Sequence, residues 1–161
     1  CSDRDWQVAR ALRLVHGRVA VEHVVSGPGL AAIYDVVHGG RRCQAVGACA
    51  AGDVPAATAR AAGERTCTDC VETLDVFVRA LGSEAGNVAL RTLPYGGLYL
   101  AGGVVAKLRG FLEDGRTLEA FVAKTPMDAV LRRIPVSVVT NEHAGLIGAA
   151  VVAAATAAGP T

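Results

Sequence analysis

The sequence predicts an α/β fold in which helices cover a short-stranded sheet. Segments with helical periodicity alternate along the chain with short apolar runs, as in proteins built from a sheet with helices on its faces. The composition is 52% hydrophobic but only 4% aromatic, so the core must be built from Ala, Val and Leu. These small side chains let helices pack close to a sheet. At 161 residues the chain is about the size of one domain.

Helical periodicity predicts most of the elements. The side chain of Ser2 is expected to accept from the backbone N–H of Asp5 and so to cap the first helix, which ends at Gly17. Gly82 and Gly86 bracket a predicted break, after which residues 87–93 continue as helix or extended chain. The other helices are predicted, in chain order, over residues 30–37, from 53 or 58 to 63, and over 68–81, 104–113, 118–123, 127–132 and 145–158.

Short apolar runs predict the strands. Residues 98–101 lie between two glycine pairs, and residues 134–139 form a second apolar run, so both are predicted as buried strands. Residues 19–25 are also short and β-branched, and they end at the strong turn signal of residues 26–29. The sheet is therefore predicted to consist of short strands covered by helices.

Charge and hydropathy exclude two classes of partner. The 16 Lys and Arg residues balance 15 Asp and Glu residues, and the arginine pairs 41–42 and 132–133 are isolated, so no nucleic-acid surface is predicted. The most apolar run, residues 144–158, is shorter than the roughly 20 residues of a membrane span and predicts a buried terminal helix. Five cysteines, an odd number, favour free thiols in a reducing compartment, and a cytoplasmic location is expected.

Glu22 is the first candidate for a binding residue. It lies at the end of an apolar run and just before a tight turn, where a carboxylate can accept hydrogen bonds from sugar hydroxyls. From the residues alone, a surface glutamate beside a loop is the more ordinary interpretation.

The second candidate is the glycine turn after residues 98–100. Ala101, Gly102 and Gly103 join a predicted strand to a predicted helix, at a place where α/β sheets commonly bind ligands. Glycine lets the backbone approach a nucleotide, and a helix N-terminus favours phosphate. A tight structural turn explains the same residues equally well.

The cysteine and histidine pattern does not predict a metal site. Cys67 and Cys70 form a lone CxxC, whereas a structural zinc site needs four ligands. Cys43 and Cys49 are six residues apart, which is poor ligand spacing, and His38 has no partner at ligand spacing. Ordinary cysteines at the start of a helix are the favoured interpretation. His143 is interpreted as a loop histidine, with a place at the sheet edge as the alternative.

A series of segments resembles the glucokinases of bacteria, in the hexokinase–actin ATPase superfamily. The loop Ser-Gly-Pro-Gly-Leu preceded by Glu22 is its most specific member. The order and spacing of the segments fit that family along essentially the whole chain. The segments are residues 22–30, 67–70, 86–90, 96–105, 134–136 and 144–148.

The resemblance implies a fold, ligands and site residues. The fold would be ribonuclease H-like, of the actin and hexokinase type, with residues 1–161 as the C-terminal portion of the large domain. Glu22 would hold hydroxyls of glucose, and Ala101, Gly102 and Gly103 would form the adenosine-side turn of an ATP site that works with Mg²⁺. His23 matches no sugar ligand of the family.

The resemblance also implies what this chain lacks. The N-terminal domain, the start of the large domain and the Asp that acts as general base would lie before Cys1. No catalytic residue is therefore expected here, and the fragment is expected to be inactive alone, whereas the complete protein would be a cytoplasmic enzyme of glycolysis and often a homodimer. The alternatives are a non-catalytic sugar-binding or regulatory module, a kinase for another hexose, and polyphosphate in place of ATP as the donor.

Overall fold

The fold is a helical assembly with a small parallel sheet, seen in a computed structural model that describes residues 2–141 and 143–157. The two strands are β1 (Leu98–Leu100) and β2 (Val136–Val138). The helices are α1 (Asp3–His16), α2 (Gly27–Val37), α3 (Val54–Gly63), α4 (Thr68–Thr92), α5 (Gly103–Lys107), α6 (Arg109–Leu112), α7 (Arg116–Val122), α8 (Asp128–Leu131) and α9 (Ala144–Ala157).

Helix α4 forms the centre of the core. Helices α2, α3 and α7 pack against it. Its buried side chains recur at helical spacing, as in Leu74, Phe77, Val78 and Leu81. Helices α2 and α3 contribute Leu30, Ile33, Tyr34, Val54, Ala57, Ala61 and Ala62 to the same core. The prediction of a core made mainly of aliphatic residues is confirmed.

Two glycines were expected to interrupt α4, and that prediction is wrong. The helix is continuous from Thr68 to Thr92. A Cβ atom at Gly82 would overlap the carbonyl oxygen of Thr117, and one at Gly86 would lie 2.5 Å from the carbonyl oxygen of Phe121. Both glycines therefore serve the close approach of α7 to α4, and the helix tolerates them because this packing offsets their low helix propensity.

Helix α1 begins as predicted. The Ser2 side chain accepts from the backbone N–H of Asp5 at 3.2 Å, and the Asp5 carboxylate accepts from the backbone N–H of Ser2 at 2.6 Å. Only Val8 and Leu12 of α1 are buried. Ion pairs with α4, from Arg4 to Glu72 and from Arg79 to Asp5, also hold α1 in place.

Strands β1 and β2 are confirmed and lie side by side in parallel, with Leu98 opposite Val136 and Leu100 opposite Val138. The chain leaves β1 directly into the Ala101–Gly103 turn, where Gly102 has a φ of 120°. Helix α5 then starts at Gly103. The helix predicted over 104–113 is present but divided at Leu108 into α5 and α6.

Two further predictions from hydropathy are corrected. The β-branched segment 19–25 forms no strand; it contains a 3₁₀ turn, Val21–His23, because it must bend back towards the start of α2. Helix α9 forms where expected, but it is not buried, since no other described element covers it and Val151 is 63% exposed. The predicted end of this helix, residue 158, lies outside the described residues. No helix in the described ranges is both long and apolar enough to cross a membrane.

Candidate substrate-binding edge

Glu22 lies in the short 3₁₀ turn that leads into α2. Its backbone carbonyl accepts from the Ser26 hydroxyl at 2.6 Å, and the same hydroxyl accepts from the backbone N–H of Gly29 at 3.0 Å. Ser26 thus caps α2 and at the same time fixes the position of Glu22. The turn signal read at residues 26–29 is in fact the first turn of this helix.

The loop before α2 folds tightly onto the helix. A Cβ atom at Gly29 would lie 2.6 Å from the carbonyl carbon of Val24 and 2.9 Å from the carbonyl oxygen of His23, so only glycine fits there. The backbone N–H of Ala20 donates to the Nδ1 atom of His23 at 3.1 Å, and the His23 ring stacks on that of His16. These contacts hold the backbone of the turn that carries Glu22.

A first cavity opens beside Glu22. Its volume is about 380 Å³, and Glu22, His23, Ser26 and Gly29 are among the residues that line it. The side chain of Glu22 is exposed and forms no ion pair with any residue of the described chain. A hydroxyl-rich ligand in this cavity would therefore find a carboxylate ready to accept hydrogen bonds.

A second, larger cavity of about 690 Å³ lies at the other side of the same helix turn. Gly27 of α2 and Gly103 of α5 line it, as do Arg60 and Lys107, while its remaining wall is mostly apolar. Apolar walls suit a flat base such as adenine, and the two cations suit phosphate. Of the three residues predicted for a nucleotide turn, Gly103 lines this cavity, and Ala101 and Gly102 are exposed beside it.

The larger cavity fits a nucleoside better than it fits a metal ion. None of the residues that line it in the described chain is Asp or Glu, whereas Mg²⁺ prefers carboxylate and other oxygen ligands. The cavity therefore offers apolar walls and two cations but, among the described residues that line it, no carboxylate for a magnesium ion.

A different group of side chains meets at the opposite end of α2. His38, Cys43, Cys67 and Cys70, here called the cysteine cluster, place one nitrogen and three sulfur atoms within 4.8 Å of one another. The sequence spacing offered no partner for His38, but the fold brings its Nε2 atom to 3.5 Å from the sulfur of Cys67 and 3.8 Å from that of Cys70. The CxxC lies at the start of α4, as predicted. The glycines at 39 and 40, both with positive φ, turn the chain after α2 and bring Cys43 back to His38.

The thiols of the cysteine cluster have unequal acidities. Burial raises the pKa of the Cys70 thiol, and hydrogen bonding with Cys67 and Cys43 raises it further. Burial also raises the pKa of Cys43, but hydrogen bonds from the Tyr34 hydroxyl, the backbone of Val46 and the other two cysteines outweigh it and lower the pKa to about 6. Negative charge in the cluster is therefore favoured first on Cys43.

His143 remains a loop residue. It is exposed in the turn before α9, and its backbone N–H donates to the side-chain oxygen of Asn141 at 2.9 Å. It lines neither of the two cavities beside α2.

Comparison with known proteins places this geometry in a family. The sequence profile described as Glucokinase matches residues 1–156. The chain belongs to the glucokinase family. Glucokinase of Synechocystis is 37% identical over 95% of the chain, and that of Trichormus variabilis is 40% identical over 85%. The resemblance inferred from the sequence segments is confirmed.

A solved structure shows the same fold. The crystal structure of a glucokinase from an Antarctic psychrotroph superposes with a TM-score of 0.76, covers 93% of this chain and is 31% identical in sequence. The predicted hexokinase-type fold class is thereby confirmed. The chain spans only 48% of the Synechocystis glucokinase and 45% of the solved one.

Proposed function

We propose that this chain is the C-terminal portion of the large domain of a glucokinase. The complete enzyme transfers the terminal phosphoryl group of ATP to the 6-hydroxyl of glucose, giving ADP and glucose 6-phosphate. The observation that supports this proposal most is the sharing of one helix turn by two cavities. Glu22, Ser26 and Gly29 line the smaller cavity, and Gly27 lines the larger one.

Each cavity has a role in the proposal. Glu22 accepts hydrogen bonds from glucose hydroxyls and fixes the orientation of the sugar. The turn of Ala101, Gly102 and Gly103 carries the adenosine side of ATP, and Gly27 and Val104 line the same cavity. Arg60 and Lys107 lie at the same cavity and attract the phosphates. Mg²⁺, when bound to ATP, neutralises phosphate charge during transfer.

The general base is not assigned to this chain. Glu22 is the only carboxylate among the residues that line either cavity in the described ranges, and the proposal gives it the role of sugar ligand. The proton of the 6-hydroxyl then goes to an Asp from the preceding half of a complete glucokinase. The isolated chain is therefore expected to be inactive, and a homodimer in the cytoplasm is expected of the complete protein.

A hybrid enzyme tests the proposal. The chain would replace the matching C-terminal part of the Synechocystis glucokinase, and formation of glucose 6-phosphate would be measured with glucose, mannose and fructose. We expect turnover with ATP and the highest kcat/KM with glucose, and none from the chain alone.

Two results would count against the proposal. A hybrid that unfolds cooperatively and binds ATP, yet phosphorylates no hexose, would favour a non-catalytic sugar-binding module. Preference for another hexose, or for polyphosphate as the donor, would keep the fold assignment and reject glucose or ATP as the substrate.

A further inference from the structure

The cysteine cluster has the dimensions of a metal site with four ligands. Its sulfur–sulfur separation between Cys43 and Cys70 is 3.7 Å, and the Nε2 atom of His38 lies 3.5 Å from the sulfur of Cys67 and 3.8 Å from that of Cys70. A tetrahedral zinc ion, with Zn–S of about 2.3 Å and Zn–N of about 2.0 Å, holds two sulfurs about 3.8 Å apart and a sulfur and a nitrogen about 3.5 Å apart. The observed separations agree with these values to within about 0.3 Å.

We propose that His38, Cys43, Cys67 and Cys70 bind one structural zinc ion. Thiolate and imidazole ligands select zinc over the hard cations magnesium and calcium. All four ligand atoms lie within 4.8 Å of one another, which leaves room for a single ion. The site lies at the opposite end of α2 from the candidate substrate cavities, so it is independent of the proposed function.

The histidine is held in the form that a metal needs. The Nδ1 atom of His38 lies 2.9 Å from the backbone carbonyl oxygen of Tyr34, and a carbonyl can only accept, so Nδ1 carries the proton. In the neutral imidazole the Nε2 atom then has a free lone pair, and it is the nitrogen that lies near the sulfurs of Cys67 and Cys70. Stacking on the Tyr34 ring, with centroids 3.7 Å apart, fixes the ring plane, as expected of a metal-binding histidine supported by its neighbours.

The start of α4 opposes the burial that raises the pKa of the Cys70 thiol. Cys67 is the N-cap residue of α4 and Cys70 lies in its first turn, where the dipole of a 25-residue helix stabilises thiolates. Arg42 precedes Cys43 in the chain, and its guanidinium lies 5.8 Å over the Tyr34 ring while its Nη1 atom donates to the sulfur of Cys49 at 3.7 Å. Three thiolates and one zinc ion carry a net charge of about −1, and these positive groups partly offset it.

A zinc ion here would tie together parts of the chain that are distant in sequence. His38 ends α2, Cys43 lies in the turns that follow, and the CxxC opens α4. The segment between α2 and α3 has no strand and only one short 3₁₀ turn, Ala51–Asp53. The ion therefore replaces secondary structure as the device that fixes this segment to the core.

Metal analysis of the purified protein tests the proposal directly. We expect one equivalent of zinc per chain. The variants Cys43→Ser and Cys67→Ser should each lose roughly 90% of this zinc or more, because each removes one ligand. Cys49→Ser is the matched control, because Cys49 is half-buried on the same segment but lies outside the cluster. Equal loss of zinc in Cys49→Ser would overturn the assignment of these ligands.

Two measurements on the unmutated chain keep the test independent of variants that fail to fold. Cobalt added to the metal-free protein should give the strong visible absorption of a tetrahedral site and the near-ultraviolet charge-transfer band of thiolate ligands. Zinc should protect Cys43, Cys67 and Cys70, but not Cys49, from alkylation, as read by mass spectrometry.

Either of two outcomes would overturn the proposal. The first is a cobalt spectrum typical of octahedral coordination, together with alkylation of Cys43, Cys67 and Cys70 in the presence of one equivalent of zinc. The second is a disulfide within the cluster in protein purified under reducing conditions, which would make the cluster a redox pair.

Discussion

The two ends of α2 differ in almost every physical property. At its start, Ser26 and Gly27 lie at a surface with two open cavities, and Glu22 is exposed beside them. At its end, His38 is 6% exposed and lies against the buried Cys70. One 11-residue helix thus connects an open edge beside an exposed carboxylate to a closed group of one histidine and three cysteines.

The difference indicates a division of labour along one helix. The open end has a carboxylate with no ion-pair partner in the described chain, which suits reversible binding of a polar substrate. The closed end has side chains that satisfy one another, which suits stability. Changes at the closed end should therefore alter unfolding, and changes at the open end should alter substrate kinetics.

Zinc removal should have the largest effect, and it should act on stability. If free zinc is present at a thousand times its Kd, binding to the folded state adds about 4 kcal/mol to the free energy of unfolding. A zinc-selective chelator should remove this stabilisation and lower Tm by roughly 2–4 °C for each kcal/mol lost. Calorimetry with and without chelator measures the shift. Cys49→Ser should respond as the unmutated protein does, and an unchanged Tm would contradict a structural metal.

A substitution at the open end should destabilise the loop that carries Glu22. In Gly29→Ala the new methyl group would lie 2.6 Å from the carbonyl carbon of Val24, so the loop must shift. Overpacking of this kind costs about 1–3 kcal/mol. Urea unfolding should show the loss with little change in zinc content.

Gly110→Ala is the control for that loss. Gly110 is helical and has no atom within 4 Å of its expected Cβ, so the substitution should be neutral or add about 0.4–1 kcal/mol. Similar destabilisation by both variants would show that close packing at Gly29 is not the cause.

The ion pair between Arg116 and Asp114 should have the smallest effect on the free energy of unfolding. A hydrogen bond from Arg116 lowers the pKa of Asp114, so this pair stabilises the fold above the ordinary carboxylate pKa of about 3.9 and is lost as pH falls below it. Both side chains are about one third exposed, which limits the contribution to about 1 kcal/mol.

Unfolding measured between pH 6 and pH 3 checks this prediction. Arg116→Gln should flatten the acid dependence of unfolding without altering the zinc content of the chain or the glucose kinetics of the hybrid enzyme. An acid dependence as steep in Arg116→Gln as in the unmutated protein would assign the effect to other carboxylates.

Local rules predicted the elements that depend on local contacts. The Ser2 cap, the helix over residues 30–37 and the strand 98–100 all follow from caps, spacing and glycines in the immediate sequence. Gly82 and Gly86 misled the same rules, because their role is contact with α7, about 35 residues away along the chain. The β-branched segment 19–25 misled them because tertiary contacts with α2 override strand propensity.

The two candidate sites also differed in how much of each could be predicted from neighbouring residues in the sequence. Glu22 became a candidate because it adjoins a distinctive turn and because the family resemblance gives that turn a role. The cysteine cluster was missed because its ligands were judged in separate pairs. His38 and Cys43 flank the glycine pair after α2, and taken together with the CxxC they complete a set of four. That combination was the signal available in the sequence.

The hybrid enzyme tests the central claim most directly through Glu22. Gln at this position keeps the shape of the side chain but removes the charge; hydrogen bonds to a charged group are worth about 1.5–3 kcal/mol, against about 0.5–1.5 kcal/mol for neutral ones. We predict that Glu22→Gln lowers kcat/KM for glucose about 10- to 100-fold, while KM for ATP and Tm stay unchanged. Glu64→Gln, an exposed carboxylate at the end of α3, is the control and should leave all three unchanged. Unaltered glucose kinetics in a folded Glu22→Gln hybrid would contradict the assignment of this edge to the sugar.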